Sequence, residues 1–430
     1  DGDEEEGITL AEYKSRLRSV AERLDPRIWP IAASFFLTGT SLGIVVPCMP
    51  LLVSELSITP SQFGFVISSF ALAKLISNIP STHYVDIVGR KPLMVAGLGM
   101  CALGLSGIGV SLYPGFGYPW IILCRVVSGV GVSAFVSGSF MYLIDISTQL
   151  NRARTNAPPS ASFNAGLALG PAMGGVLVEF VGISYAYFLV GGMFGGLTLL
   201  NQAIITETFR KPAVAPPPST PTAAESSEPK LSQAFQVAYQ RWKELFETNA
   251  EVRNVLLLNT SYWFTLSGAQ LTLLPLLMVG PTLNLSISEI ASCFGMMSIT
   301  SFLLAQPLAT LSDKYDKVYV SCAGCLMLAA SCLSIPHAGS FYELLSALVP
   351  LAIGSTIINT APTAHMANIC AEKDRSQAVS LLRTVGDVGF LCGASTAGML
   401  AALSSVESAM GMTGVLLVAS SALVGTRHYK

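Results

Sequence analysis

Charge is what this chain has least of. Only 12% of its 430 residues are Asp, Glu, Lys or Arg, where a soluble globular chain carries about 25%. Against that, 51% are hydrophobic and the mean hydropathy is +0.58. So much apolar surface cannot be hidden inside a water-soluble fold, and a bilayer is the solvent that tolerates it. An excess of positive charge is missing too. The net charge of −2 excludes the concentrated basic face that nucleic acid requires. No GxxxxGK[ST] cradle for nucleotide phosphates and no HExxH zinc signature is present, so neither an ATP-driven machine nor a metalloenzyme is expected. No catalytic residues, cofactor or metal site are assigned. Histidine is scarce, with four in the chain, and His365 with Asn368 has no carboxylate at ligand spacing. Cys322 and Cys325 spell CxxC, but all nine cysteines fall in apolar segments and read as small packing residues. The chain starts at Asp1, and no signal peptide with a basic start and a small-residue cleavage site follows. A targeting segment removed upstream is therefore left open.

Long apolar runs are what the sequence does have. A spanning helix needs about 20 mainly apolar residues. Segments near 28–54, 60–83, 92–113, 117–145, 158–181, 184–206, 252–279, 287–311, 318–336, 341–369, 375–403 and 406–426 meet that need. The expected fold is therefore an all-α membrane protein of twelve transmembrane helices in two six-helix halves. Four regions follow. Residues 1–27 hold an acidic start (DGDEEEG) and an amphipathic helix, with Leu10, Tyr13, Leu17 and Leu24 suited to a membrane surface. Residues 28–206 and 252–430 are the halves. Residues 207–251 link them through a proline-rich stretch (KPAVAPPPSTPTAAESSEP) and a polar helix.

Orientation follows from Lys and Arg. Apart from Lys74, Arg125 and Arg383, every one lies in the N-terminal segment, the central linker, the C-terminus or one set of loops, those holding Arg90, Lys91, Arg152, Arg154, Lys314, Lys317, Lys373 and Arg375. The opposite loops hold none. Both termini and the linker are expected on the positive-inside face of the cell or of an organelle membrane. The halves also repeat. Pro80 stands six residues before Asp86, Pro307 stands six before Asp313, and DIVGRK is echoed by DKYDKV. Repeated halves of this kind mark transporters with a site near the midplane.

The loop THYVDIVGRK resembles the loop motif of the major facilitator superfamily, written GxLaDrxGRk. Asp86, Gly89, Arg90 and Lys91 match, while Thr82 and Ile87 depart from it. The second copy, ATLSDKYDK, keeps Asp313, Lys314 and Lys317, with Ala309 and Asp316 where glycines are usual. RVVSGVGVSA (Arg125, Gly129, Gly131, Ala134) is similar to the family's fourth-helix motif. GLALGPAMGG (Gly166, Gly170, Pro171, Gly174, Gly175) matches the gxxxGPxxGG motif of the antiporter branch, which includes twelve-helix drug/proton antiporters. The resemblance covers about residues 28–427. It implies alternating access between the halves, with Asp86 latched to the start of helix 11 and Asp313 to the start of helix 5. A carboxylate at a helix start is worth about 0.3–1 kcal/mol when exposed, a strength suited to a switch. Asp145, at the end of helix 4, is the expected partner of Arg90. The helix-5 glycines are expected to bring a neighbouring helix close.

Ionisable residues inside a bilayer cost at least ~2.5–3.5 kcal/mol each on insertion scales, so those present point to the pathway. They are Lys74 in segment 2, Arg125 in segment 4, and Arg383 with Asp387 in segment 11. Lys74 lies 12 residues before Asp86 and Asp387 lies 12 after Arg375, each about 18 Å from the basic face. The resemblance places helices 2 and 11 face to face, so Lys74 and Asp387 are expected to pair across the halves. Arg383 competes for Asp387 at i, i+4 spacing. Three cations against one carboxylate favour an anionic or zwitterionic solute over a cationic drug. Segment 1 offers no acid, so Asp387 is the best candidate for a proton carrier. Tyr262 and Gln270, with Asn259 and Trp263, are expected to line the solute path. The function read from the sequence is secondary active transport of a small organic, anionic solute, coupled to protons as an antiport. The alternative is a transport fold kept as a structural or assembly subunit of a larger membrane complex. The expected partners are the solute, protons and membrane lipids, with the chain as a monomer or a complex subunit.

Overall fold

A computed structural model describes residues 25–147, 152–208, 231–370 and 375–429, and the regular structure among them is helical. Twelve long helices stand where the apolar segments predict them. The first six are α1 (Ile28–Glu55), α2 (Pro60–Val88), α3 (Arg90–Val110), α4 (Tyr118–Ile146), α5 (Arg152–Val181) and α6 (Ile183–Ile204). The second six are α7 (Ala250–Val279), α8 (Ile287–Lys314), α9 (Lys317–Ser334), α10 (Phe341–Ile369), α11 (Arg375–Leu403) and α12 (Val406–Tyr429). The acidic start, the expected amphipathic helix and the proline-rich stretch lie outside the described residues.

Among the described residues nine helices, α3, α4, α6 and α7–α12, are each long and apolar enough to cross a bilayer. Helix α5 bends by 44° between Ala161–Pro171 and Met173–Val181, where Pro171 removes a backbone donor. Phe180, Leu199 and Leu403 leave 83%, 73% and 82% of their surface uncovered. Side chains so apolar and so exposed need lipid rather than water around them.

Two turns are tighter than the sequence suggests. Asp86, Arg90 and Lys91 were expected in a loop, but α2 runs on to Val88 and α3 starts at Arg90, so Gly89 alone breaks the helix. Its φ of 110° lies in the region that favours glycine, and this allows the chain to turn within one residue. The second copy lacks that glycine and uses two residues, Tyr315 and Asp316, between α8 and α9.

One core draws on α1–α6 (Phe63, Leu98, Phe135, Tyr187) and another on α7–α12 (Leu258, Phe294, Leu328, Leu351). Within the first half α1 lies against α5, as the glycine pattern dictates. A Cβ on Gly166 would run into the Phe36 carbonyl, and one on Gly170 would come within 2.7 Å of Gly43 Cα. Gly174 meets Ile44, while Gly175 turns the other way, onto Ala291 of α8. Between the halves α2 packs on α11 and α5 on α8. The linker helix, Leu231–Thr248, docks on the second half. Trp242 and Leu245 sit against a small core of Val252, Leu256, Met366 and Leu381, and Arg253 Nη1 caps its end through the carbonyls of Phe246 (2.9 Å) and Glu247 (3.0 Å).

Candidate functional site

The seam between α2 and α11 sets the register of the site. On the face opposite Arg90 and Lys91, two backbones touch because two glycines leave room. A Cβ on Gly64 would strike the Ala394 carbonyl and approach Gly398 Cα at 3.3 Å. One turn further in, Ser68 Oγ donates to the Leu391 carbonyl at 3.1 Å. The next contact is polar. Lys74 Nζ lies 2.8 Å from Asp387 Oδ1, so the antiparallel register brings the two half-buried charges together across the halves. Asn78, one turn below Lys74, donates from Nδ2 to the other carboxylate oxygen, Oδ2, at 3.1 Å. Ser133 of α4 donates to Asn78 Oδ1 at 2.9 Å and lies 3.2 Å from Ser81 Oγ. Asp387 thus accepts from two α2 residues, one of which α4 holds in place. Asn78 and Ser133 are functional candidates that sequence reading missed.

Arg383 does not take the pair. Its guanidinium lies 5.1 Å from the Phe140 ring of α4, a cation–π contact across the halves, and its side chain remains exposed. Around α11, Asn259 Nδ2 donates to the Leu382 carbonyl at 2.9 Å and Trp263 fills the space left by Gly386. Tyr262 packs edge-on to Trp263 at 5.5 Å. Gln270 Nε2 donates to Ser355 Oγ at 2.8 Å. Tyr262 and Gln270 are each 5% exposed, so they sit inside the second half rather than on an open wall. Gln270 lies in a π-helical stretch of α7, Leu266–Leu273. Pro275 has no N–H for the Leu271 carbonyl, and the Leu274 amide instead reaches back to Ala269.

Arg125 is 5% exposed. Its Nε points at the Val66 carbonyl at 3.4 Å, and its guanidinium lies 4.7 Å from the Phe70 ring. The stretch Gly39–Gly43 of α1 spells GxSxG, the sequence of a nucleophile elbow. Here it is unbroken helix, both glycines pack on α5, and Ser41 Oγ donates to the Thr38 carbonyl at 2.9 Å. It is a packing stripe.

At the basic face, Arg90 Nε meets Asp145 Oδ2 at 2.9 Å, and Thr208 Oγ1 donates to the same oxygen at 2.9 Å. Glu207 receives the amides of Arg90 (3.1 Å) and Lys91 (3.0 Å), so its carboxylate caps α3. The side chains of Asp86, Asp313 and Arg375 lie outside the described residues, and Lys314 is exposed. Asp316 caps α9 through the Val318 amide at 2.8 Å and faces His428 Nε2 at 3.0 Å. Burial pushes its carboxyl up, but the His428 and backbone hydrogen bonds outweigh that and hold it below its ordinary value.

Paired helical halves with a charged seam between them define a multi-pass membrane transporter. The chain belongs to the Major Facilitator Superfamily, whose model matches residues 31–282 and 256–428. It is not an enzyme. It is 23% identical over 396 residues to an uncharacterised MFS-type transporter, MJ1560, of Methanocaldococcus jannaschii, covering 90% of this chain and 94% of that one. It is 24% identical over 379 residues to the quinolone resistance protein NorA of Staphylococcus aureus, covering 88% and 90%. A solved bacterial homologue of the human lysosomal transporter Spinster, inward-facing and unoccupied, shares the fold at a TM-score of 0.71 and 15% identity, over 93% of this chain and 95% of that one. The human organic anion transporter MFSD10 superimposes at a TM-score of 0.62 and 17% identity, over 93% and 100%.

Proposed function

We propose that this chain is a secondary active transporter that moves a small organic anion by alternating access, in exchange for or with protons. The observation that carries the reading is the Lys74–Asp387 pair at 2.8 Å, because it joins charge to conformation. A proton added to Asp387 removes the attraction to Lys74 and the charge that Asn78 stabilises, so the seam between α2 and α11 loosens when the carboxylate is neutral. An arriving anion competes for Lys74 in the same way. Arg383, exposed and stacked on Phe140, is the second cation for the solute. NorA is named for quinolone resistance. The cation excess here favours an anion instead, and that inference rests on the charges rather than on any likeness of fold.

The remaining assignments complete the reading. The halves 28–206 and 252–430 rock about the 207–251 linker. Asp86, Gly89, Arg90, Lys91, Asp145, Asp313, Lys314 and Lys317 form a latch on the basic face, which is the positive-inside face of the membrane. Gly166, Gly170, Pro171, Gly174 and Gly175 form the packing hinge. Purified protein in liposomes with an imposed pH gradient tests this. Gradient-driven uptake of organic anions is expected, and it should fall in Lys74→Met and in Asp387→Asn. Flux that ignores the gradient removes the proton coupling. Recovery only within a large assembly, with no flux alone, would favour the structural-subunit alternative.

A further inference from the structure

We infer that the first half holds a resident halide-sized anion at Arg125, distinct from the solute path. The three cations within the helices differ in how they are balanced. Lys74 has Asp387, and Arg383 keeps an exposed side chain beside Phe140. Arg125 is 5% exposed, and no Asp or Glu among the described residues pairs with it. A guanidinium carries five N–H donors, and among the described residues the hydrogen bond Arg125 makes is that of Nε to Val66 at 3.4 Å. A buried charge is ordinarily paired or neutralised.

The surroundings say what would pair with it. A cavity of about 20 Å³ lies beside Arg125, lined also by Ser41, Cys101, Ser128, Phe70 and Phe194. On this measure a single water needs about 10–15 Å³, so the space suits one small species and not an organic solute. The nearby hydroxyls are already spent on carbonyls of their own helices, Ser41 on Thr38 and Ser128 on Cys124. The Tyr187 hydroxyl, buried in the same core, has no hydrogen-bond partner among the described residues. The unspent group at the cavity is therefore a cation with free donors. Water satisfies donors but brings no charge, whereas a halide brings both. The same arrangement explains how α1, whose one acid is Glu55 at its last residue, can pack beside a buried arginine.

The test uses the full chain in detergent at constant ionic strength, with gluconate exchanged stepwise for chloride or bromide. The melting temperature should rise with halide and saturate in the wild type. The rise should be absent in Arg125→Gln and partly kept in Arg125→Lys. Should the glutamine variant fail to fold, saturable binding of radioactive chloride to wild-type protein, displaced by bromide but not by gluconate, carries the same information. No halide dependence and no saturable binding overturn the inference, as does a full halide effect in Arg125→Gln. Equal stabilisation by acetate or succinate would place the organic solute there and also overturn it. None of these readouts measures transport, so the result is independent of the proposed function.

Discussion

The Lys74–Asp387 pair can be weighed before it is measured. Two unit charges about 4 Å apart attract by about 4 kcal/mol at an effective dielectric of 20, and desolvation takes back part of that. Breaking one partner of a fully buried pair costs about 3–5 kcal/mol, while an exposed pair is worth at most about 1 kcal/mol. Here the side chains are 30% and 19% exposed, so the pair falls between the two limits. A double-mutant cycle with Lys74→Met and Asp387→Leu should give a coupling of about 1–3 kcal/mol. The double variant should recover stability lost by the singles, because two apolar side chains leave no charge uncompensated. Unfolding by SDS titration in mixed micelles, followed by tryptophan fluorescence, reads the three variants against wild type. Asn78→Ala should lower the coupling, since it removes the second donor to Asp387. Strict additivity of the two single changes, with a coupling under about 0.5 kcal/mol, would refute the reasoning, because the 2.8 Å contact would then carry no energy.

Four further outcomes follow from the packing and the helix caps. Gly166→Leu should cost at least about 1–3 kcal/mol, since the side chain would meet the fixed Phe36 carbonyl rather than a flexible tip. Gly195→Leu on α6, with nothing within 4 Å, should stay within about 0.5 kcal/mol, both read as folded yield by size-exclusion. Glu207→Ala should cost about 0.5–2 kcal/mol and speed hydrogen exchange at the Arg90 and Lys91 amides, which lose their acceptor. The Asp316 carboxyl is held below its ordinary value of 3.8 in the folded chain. Its contribution is therefore present above about pH 4 and lost as pH falls through the lowered folded value. With 45% of that side chain exposed, the acid-side loss should be a few tenths of a kcal/mol. Melting curves of wild type and Asp316→Ala should converge as the pH drops below 4.

The helices were legible because each must be apolar over its whole length, a demand that leaves its mark in composition. The helix-5 glycines were legible for a related reason, since a missing Cβ every fourth residue has meaning only where another backbone touches. Lys74 and Asp387 could be matched because the resemblance sets helices 2 and 11 face to face and the two residues stand at equal distances from the basic face. Asn78 and Ser133 could not, because neutral polar residues in apolar helices are common and a spacing does not say which of them turn inward. Glu207 looked like the first residue of the linker, and only the fold brings it to the start of α3, more than a hundred residues earlier. The single-residue turn at Gly89 was hidden because the motif reads as a loop although its residues are helical. The His428–Asp316 contact joins the end of the chain to a position where the family pattern has glycine, so the motif itself obscured it.

The central claim is that one ion pair across the halves couples charge to transport. Proton-gradient-driven anion flux in liposomes, measured for wild type, Lys74→Asp, Asp387→Lys and the charge-swapped double variant, tests it most directly. The account expects each single variant to lose most of its flux and the swap to recover part of it. Single variants that transport like wild type, or a swap no better than either single, would contradict it.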